Sequence, residues 1–155
     1  MTVIALLELA RQKGAMIATA ESCTGGLIAA ALTEIAGSSD VVDRGFVTYS
    51  NDAKQDMLGV RAETLAQFGA VSEETAREMA SGALSRSRAT IAVSVTGIAG
   101  PGGGSSEKPV GRVCFGLASD RGTISETVDF GDIGRSEVRA ATVRHALALL
   151  AAALR

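Results

Sequence analysis

The chain has no tryptophan, one tyrosine, one histidine, two cysteines and two prolines. Each scarcity removes a class of function. With aromatics at 3%, the stacking platforms that hold single-stranded nucleic acid are nearly absent. A formal net charge of -2 gives no broad basic surface for a phosphate backbone and no polybasic membrane signal. Neither nucleic acid nor a membrane is expected as a partner. Cys23 and Cys114 form neither a disulfide framework nor a metal-ligand spacing, and His145 does not complete a zinc site with them. No metal is expected, and a reducing cytoplasm fits this thiol usage. The lone histidine also leaves a Ser-His-Asp triad without its base. No signal peptide or clean apolar span is visible. Residues 1–13 interleave Val3, Ile4, Leu6, Leu7 and Leu9 with Glu8 and Arg11, and the alanine-rich tail carries Arg144 and His145.

What remains is 155 residues, 46% apolar and 21% charged. That suits one well-filled core and a single domain over residues 1–155. Periodicity and punctuation predict helices over residues 2–13, 24–36, 51–58, 62–67, 72–86 and 135–154. Gly14 and Gly37 end two of them, and Asn51 is expected to cap another. Strands are predicted over residues 16–20, 45–50, 89–96, 110–119 and 123–130, the last two joined by the hairpin signal Asp120-Arg121-Gly122. The run at 89–96 is apolar and β-branched, as in a strand buried on both faces. This order predicts an α/β fold: a three-layer α/β/α sandwich whose mixed sheet of about five strands ends in a C-terminal antiparallel hairpin. The apolar last helix is expected to be buried or to form an interface, and a homo-oligomer is expected from it.

Polar or glycine-rich loops follow the first three strands, at residues 21–26, 50–54 and 96–109. In open α/β sheets ligands bind outside the carboxyl ends of strands, so parallel strands would bring these loops to one pocket. The first loop, Glu21-Ser22-Cys23-Thr24-Gly25-Gly26, places a hydroxyl beside the unpaired N–H groups of a helix start, which favour a developing oxyanion. Ser22 or Thr24 would equally serve as a helix cap. A nucleophilic serine needs a base, and a lysine made neutral by burial supplies one where histidine is absent. Lys54, five residues after Tyr49, can share a pocket with it. The alternative is a surface tyrosine and an exposed helix lysine. Cys23 reads as a thiolate at a helix start or as a small buried filler, and the missing histidine partner favours filler. Cys114 alternates with Val113 and Phe115 and reads as core or sheet surface. The glycine-dense stretch 97–104 permits positive φ and close backbone approach, as a nest of N–H groups around a phosphate requires. It matches neither a Walker A loop nor a dinucleotide fingerprint, and a plain connection is the alternative. Lys108 either adds charge there or is a solvated loop lysine.

Taken together, three stretches closely resemble the CinA C-terminal domain family, which includes stand-alone nicotinamide-nucleotide amidohydrolases. They are Thr19-Ala20-Glu21-Ser22-Cys23-Thr24-Gly25-Gly26, then Gly45-Phe46-Val47-Thr48-Tyr49-Ser50-Asn51 with Lys54, then Val95-Thr96-Gly97-Ile98-Ala99-Gly100-Pro101 with Lys108-Pro109-Val110-Gly111. The resemblance covers essentially the whole chain. It implies hydrolysis of the carboxamide of nicotinamide mononucleotide to nicotinate mononucleotide and ammonia, in pyridine-nucleotide salvage, with no metal or other cofactor. It implies Ser22 as the catalytic serine, Lys54 as the catalytic lysine and Tyr49 as their neighbour. Substrate contacts are expected from Glu21, Cys23, Thr24, Gly25 and Gly26 in the first loop, and from Asn51 in the second. The third loop adds Thr96, Gly97, Ile98, Ala99, Gly100, Gly102 and Lys108.

On this reading Lys54 takes a proton from Ser22, or from a water that Ser22 positions. Tyr49 orients Lys54 or assists the departure of ammonia, and N–H groups of residues 23–26 meet the oxyanion. The chain departs from the family pattern at Ser105-Ser106, where many relatives carry a Thr-Pro pair. It also holds extra residues at Gly131-Asp132-Ile133-Gly134 before Arg135. Arg135, an expected substrate contact, and Arg139 are candidates for the phosphate, against the alternative of solvated or carboxylate-paired arginines. The rival function is a non-catalytic nucleotide-binding or regulatory module tied to competence or DNA damage. The joint presence of Ser22, Tyr49 and Lys54 argues against it, since binding alone needs no hydroxyl beside an amine.

Overall fold

A computed structural model describes all residues, 1–155. Its core is a five-stranded sheet in the order β2-β1-β3-β4-β5. Strand β1 (Ile17–Glu21) lies parallel to both β2 (Val42–Val47) and β3 (Ile91–Gly97). Strands β4 (Arg112–Ser119) and β5 (Gly122–Asp129) are antiparallel additions, paired to β3 and to each other. The predicted hairpin closes at Ser119 and Gly122, where Gly122 takes a φ of 107°. The sheet is therefore mixed, and the three parallel strands present their carboxyl ends together.

Two helical layers cover it. Helices α1 (Val3–Gln12), α2 (Leu27–Thr33) and α6 (Arg135–Leu154) pack on one another over one face. There Ile91, Val93, Val95, Val113, Phe115 and Leu117 meet Leu6, Leu7, Ile28, Leu32, Val138 and Leu150 in the main core. Helices α3 (Asn51–Leu58), α4 (Ala62–Phe68) and α5 (Glu73–Ser85) form the other layer. The alternate strand residues on that side are small: Ala18, Ala20 and Ala92 lie under Leu58, Met79 and Ala83. Small residues let backbones approach. A Cβ on Gly116 of β4 would stand 2.4 Å from the Ala76 carbonyl oxygen, and one on Gly82 of α5 would stand 2.0 Å from that of Leu58 in α3. Helix α5 thus beds directly on the sheet, and α3 beds on α5.

The predicted element types hold, and several boundaries move for local reasons. Helix α2 starts at Leu27 rather than near residue 24, because Gly25 and Gly26 turn the chain at φ values of 58° and 109°. Strand β2 begins at Val42, three residues earlier than its alternation predicts, across a bulge opposite Ile17 and Ala18. Ser50 rather than Asn51 caps α3, its hydroxyl accepting from Ala53 N at 3.0 Å. A short 3-10 turn at Ser38–Asp40 was not predicted. Helix α6 buries Val138, Ala146 and Leu150 in its own chain. No helix is long and apolar enough to cross a membrane.

The contact at Gly82 makes a test whose sign opposes helix propensity. In an open helix, alanine for glycine adds about 1 kcal/mol of stability. Here Gly82→Ala is expected to lower the unfolding free energy by about 1–3 kcal/mol, the usual cost of overpacking. A urea midpoint at or above that of the parent chain would show that α3 and α5 are not in backbone contact.

Candidate active site

The expected convergence of loops occurs, and the first question is what caps α2. Its N-cap, Gly26, has no side chain to offer. The orphan N–H groups of Ile28 and Ala29 donate instead to the carboxylate of Glu21, at 2.8 and 3.0 Å. The Thr24 hydroxyl donates to the same carboxylate. Glu21 is fully buried, so its carboxylate serves the protein and is turned away from solvent, where a substrate contact was expected. Ser22, with its N–H bonded to Val95 O at 3.1 Å, is thereby released from capping.

Its hydroxyl meets the side chain of Lys54. From α3, Lys54 Nζ lies 3.0 Å from Ser22 Oγ and donates to the Thr48 carbonyl at 3.0 Å. Lys54 is 1% exposed and Ser22 8%. No carboxylate forms an ion pair with this amine. Burial disfavours its charged form and pulls its pKa below the ordinary 10.5. Beside it, burial pushes the Cys23 thiol up to about 11. Cys23 is therefore a protonated filler and not a thiolate nucleophile. The backbone N–H groups of Cys23, Thr24 and Gly26, in the turn after Ser22, find no backbone acceptor.

The second and third loops are joined by an arginine. Tyr49 is 64% exposed, and its hydroxyl accepts from Arg135 Nη2 at 3.2 Å, while Arg135 Nη1 donates to Gly100 O at 2.9 Å. Tyr49 is thus paired with Arg135, and the expected orienting contact to Lys54 is taken by the Thr48 carbonyl. One turn further along α6, Arg139 donates from Nε to Cys23 O at 3.1 Å and from Nη2 to Thr24 O at 3.2 Å. The start of α6 therefore touches all three loops. Asn51 is exposed at the first position of α3.

The glycine loop splits into a built part and an open part. Thr96 is buried and donates to Ala70 O at 2.8 Å, and Gly97 packs against Val113. Ile98 N–H and O are both bonded, to Arg112 O and Gly111 N, and Ala99 is buried. Gly100 and Gly103 hold φ values of 86° and 88°, and the space around Gly102 is empty to 4 Å. Lys108 reaches away to α4, donating to Phe68 O at 2.5 Å. Thr96 and Lys108 are engaged with the protein backbone, Gly100 is buried, and Pro101 to Gly104 form the exposed stretch. Outside the site, His145 pairs with Glu126 and stacks on Phe115, and Cys114 lies against Thr127. One cavity, lined by Lys13, Thr90, Ser119, Arg121 and Arg155, contains none of the expected site residues, and another of similar volume, lined by Pro101 to Ser105 and Asp129, includes Gly102.

Sequence reasoning overlooked Thr48, whose role is carried by a carbonyl and leaves no signature. It weighed Arg139 only for phosphate, although its spacing of four from Arg135 places both on one face of a helix.

Fold and site together define an α/β sandwich with a buried serine–lysine pair at the carboxyl edge of its parallel strands. The chain matches the CinA C-terminal domain family over residues 2–154 and belongs to it. The nicotinamide-nucleotide amidohydrolase PncC of Escherichia coli K12 is 58% identical over 129 residues, covering 79% of this chain and 78% of that protein. The protein of the same name from Enterobacter agglomerans is 60% identical over 114 residues, covering 74% and 70%. A CinA-like protein of Chloroherpeton thalassium is 64% identical over 112 residues, 72% of this chain, and the match spans only 27% of that longer protein. Among solved structures, competence/damage inducible protein CihA from Agrobacterium tumefaciens superposes with a TM-score of 0.89 at 63% identity, covering 96% of this chain and 94% of that one. A CinA superfamily protein from Enterobacter cloacae gives 0.91 at 36% identity, covering 100% and 94%.

The lowered Lys54 pKa fixes the sign of a stability test. The unfolded chain binds a proton at Lys54 that the folded chain releases earlier, so this residue's contribution to stability improves as pH rises from the folded pKa toward 10.5. Lys54→Met is expected to be more stable than the parent at pH 7, with the gap narrowing by pH 10. Urea unfolding at both values measures it, and a gap that widens with pH would refute the lowered pKa.

Proposed function

We propose that the protein hydrolyses the carboxamide of nicotinamide mononucleotide to nicotinate mononucleotide and ammonia, as a step of pyridine-nucleotide salvage, with Ser22 as nucleophile and Lys54 as base. The observation that carries the chemistry is the 3.0 Å approach of Lys54 Nζ to Ser22 Oγ inside a site without an acid partner. The substrate comes from the names of the amidohydrolase relatives. Neutral Lys54 takes the Ser22 proton as Oγ bonds to the amide carbon. The carbonyl oxygen gains negative charge against the N–H groups of Cys23, Thr24 and Gly26, which have no backbone acceptor. As the intermediate collapses, the C–N bond breaks and Lys54 passes its proton to the leaving nitrogen, which departs as ammonia. Water then gives a proton to Lys54 and its oxygen to the acyl carbon, and the proton returns to Ser22 as the acid leaves. Arg135 and the exposed, positive-φ Gly103 suit the phosphate, with Tyr49 at the open side.

Purified protein incubated with nicotinamide mononucleotide and EDTA is expected to release ammonia. Ser22→Ala and Lys54→Ala should each lose about 10³-fold or more, and the double variant little beyond either, because the pair acts as a unit. Binding of the nucleotide without ammonia release would make the protein a binding module instead. Loss of turnover in EDTA would defeat the metal-free mechanism. Rapid quenching and mass spectrometry should find an acyl group on Ser22, and its absence in a slow variant that still turns over would give the attack to water.

A further inference from the structure

Arg139 is a half-buried guanidinium with no carboxylate partner. It spends its fork on two successive backbone carbonyls, those of Cys23 and Thr24, directly after the nucleophilic serine. In a trans peptide the C=O and N–H of one unit point in opposite directions. Fixing the Cys23 carbonyl toward Arg139 therefore fixes the Thr24 N–H away from it. That N–H is one of the donors with no backbone acceptor. The same peptide is held from its other side, since the Thr24 hydroxyl donates to the buried Glu21 carboxylate. A cation on the carbonyl oxygen also withdraws charge from the amide, which strengthens its N–H as a donor. Gly25 lies beside the guanidinium, where a Cβ would stand 3.6 Å from Nη2.

We infer that Arg139 is a positioning residue for the oxyanion site: it aims and polarises the Thr24 N–H without touching substrate. The inference rests on the amidohydrolase reading for its substrate, though not for the serine–lysine site itself. Arg135, one turn earlier, contacts the other two loops. The pair of arginines thus divides its work, one at the open side and one behind the nucleophile. Because the oxyanion exists only in the transition state, loss of this alignment lowers kcat and leaves KM nearly unchanged.

Two variants, Arg139→Met and Arg139→Lys, are compared by turnover of nicotinamide mononucleotide and by the rate at which a fluorophosphonate probe labels Ser22, read by mass spectrometry. The labelling also needs the oxyanion donors and is independent of the natural substrate. Circular dichroism and thermal unfolding identify the folded fraction to which both rates are normalised. Arg139→Met is expected to lose about 100-fold in kcat, the scale of one oxyanion donor, with KM within threefold and Ser22 labelling slowed in parallel. Arg139→Lys, which keeps the charge and loses the fork, is expected to recover only a small part. In a third variant, Arg139→Ala, added guanidinium should restore part of the rate. Unchanged kcat and labelling in folded Arg139→Met, or a raised KM at unchanged kcat, would overturn the inference. So would full activity in Arg139→Lys. If the parent chain is labelled at Ser22 and releases no ammonia, the substrate assignment fails, and Arg139 is judged on labelling alone. If the parent is not labelled, the shared premise of a reactive serine falls, and the role of Arg139 with it.

Discussion

Lys54 ends inside the protein with its amine against Ser22 Oγ and the Thr48 carbonyl and with no acid to balance a charge. Holding an ammonium there is unfavourable, and burial lowers the pKa of the amine. A neutral amine has one lone pair and two hydrogens. The Thr48 carbonyl takes one hydrogen, and on the proposed mechanism the lone pair faces the serine. Anything that lets water reach Nζ would stabilise the charged form and, on the proposed mechanism, remove the base.

That burial depends on packing some distance away. Lys54 rides on α3, whose last carbonyl, Leu58 O, lies under Gly82 of α5 and also accepts from Arg86 Nη1 at 2.9 Å. Helix α5 in turn sits on the small-residue face of the sheet, with Ser94 Oγ bonded to Ala76 O at 2.6 Å. The alanines and glycines of this layer are therefore not filler. Larger residues there would lift α5, and α3 with it, and draw the amine away from its partners. The opposite layer, with its leucines, isoleucines and valines, supplies the bulk of the apolar burial that offsets chain entropy.

The element types were legible because periodicity and glycine punctuation agree along most of the chain. The serine–lysine pair was legible because one histidine, placed in the last helix, forces the search for another base, and because three ordered motifs resemble one family. The uses of single polar groups were not. Glu21 reads as a site residue from its position, but the glycine pair at 25 and 26 leaves α2 without a side-chain cap, and the buried carboxylate fills that need. Lys108 sits in a loop that points toward the site in sequence, and its side chain runs backwards to Phe68. Thr48 acts through its backbone, which no side-chain pattern records. Arg139 meets Cys23 across 116 positions of sequence, a separation over which no local pattern carries information.

The same long reach orders events as the chain is made. The bonds from Arg135 and Arg139 to the first two loops span between 86 and 116 residues. Synthesis proceeds from the amino end, and contacts so distant in sequence close late, after a large loss of chain entropy. A growing polypeptide therefore carries its serine and its lysine well before the helix that gathers the loops has emerged. Closure of α6 is the step that ties three separate loops to one helix, and it comes when the chain is almost finished.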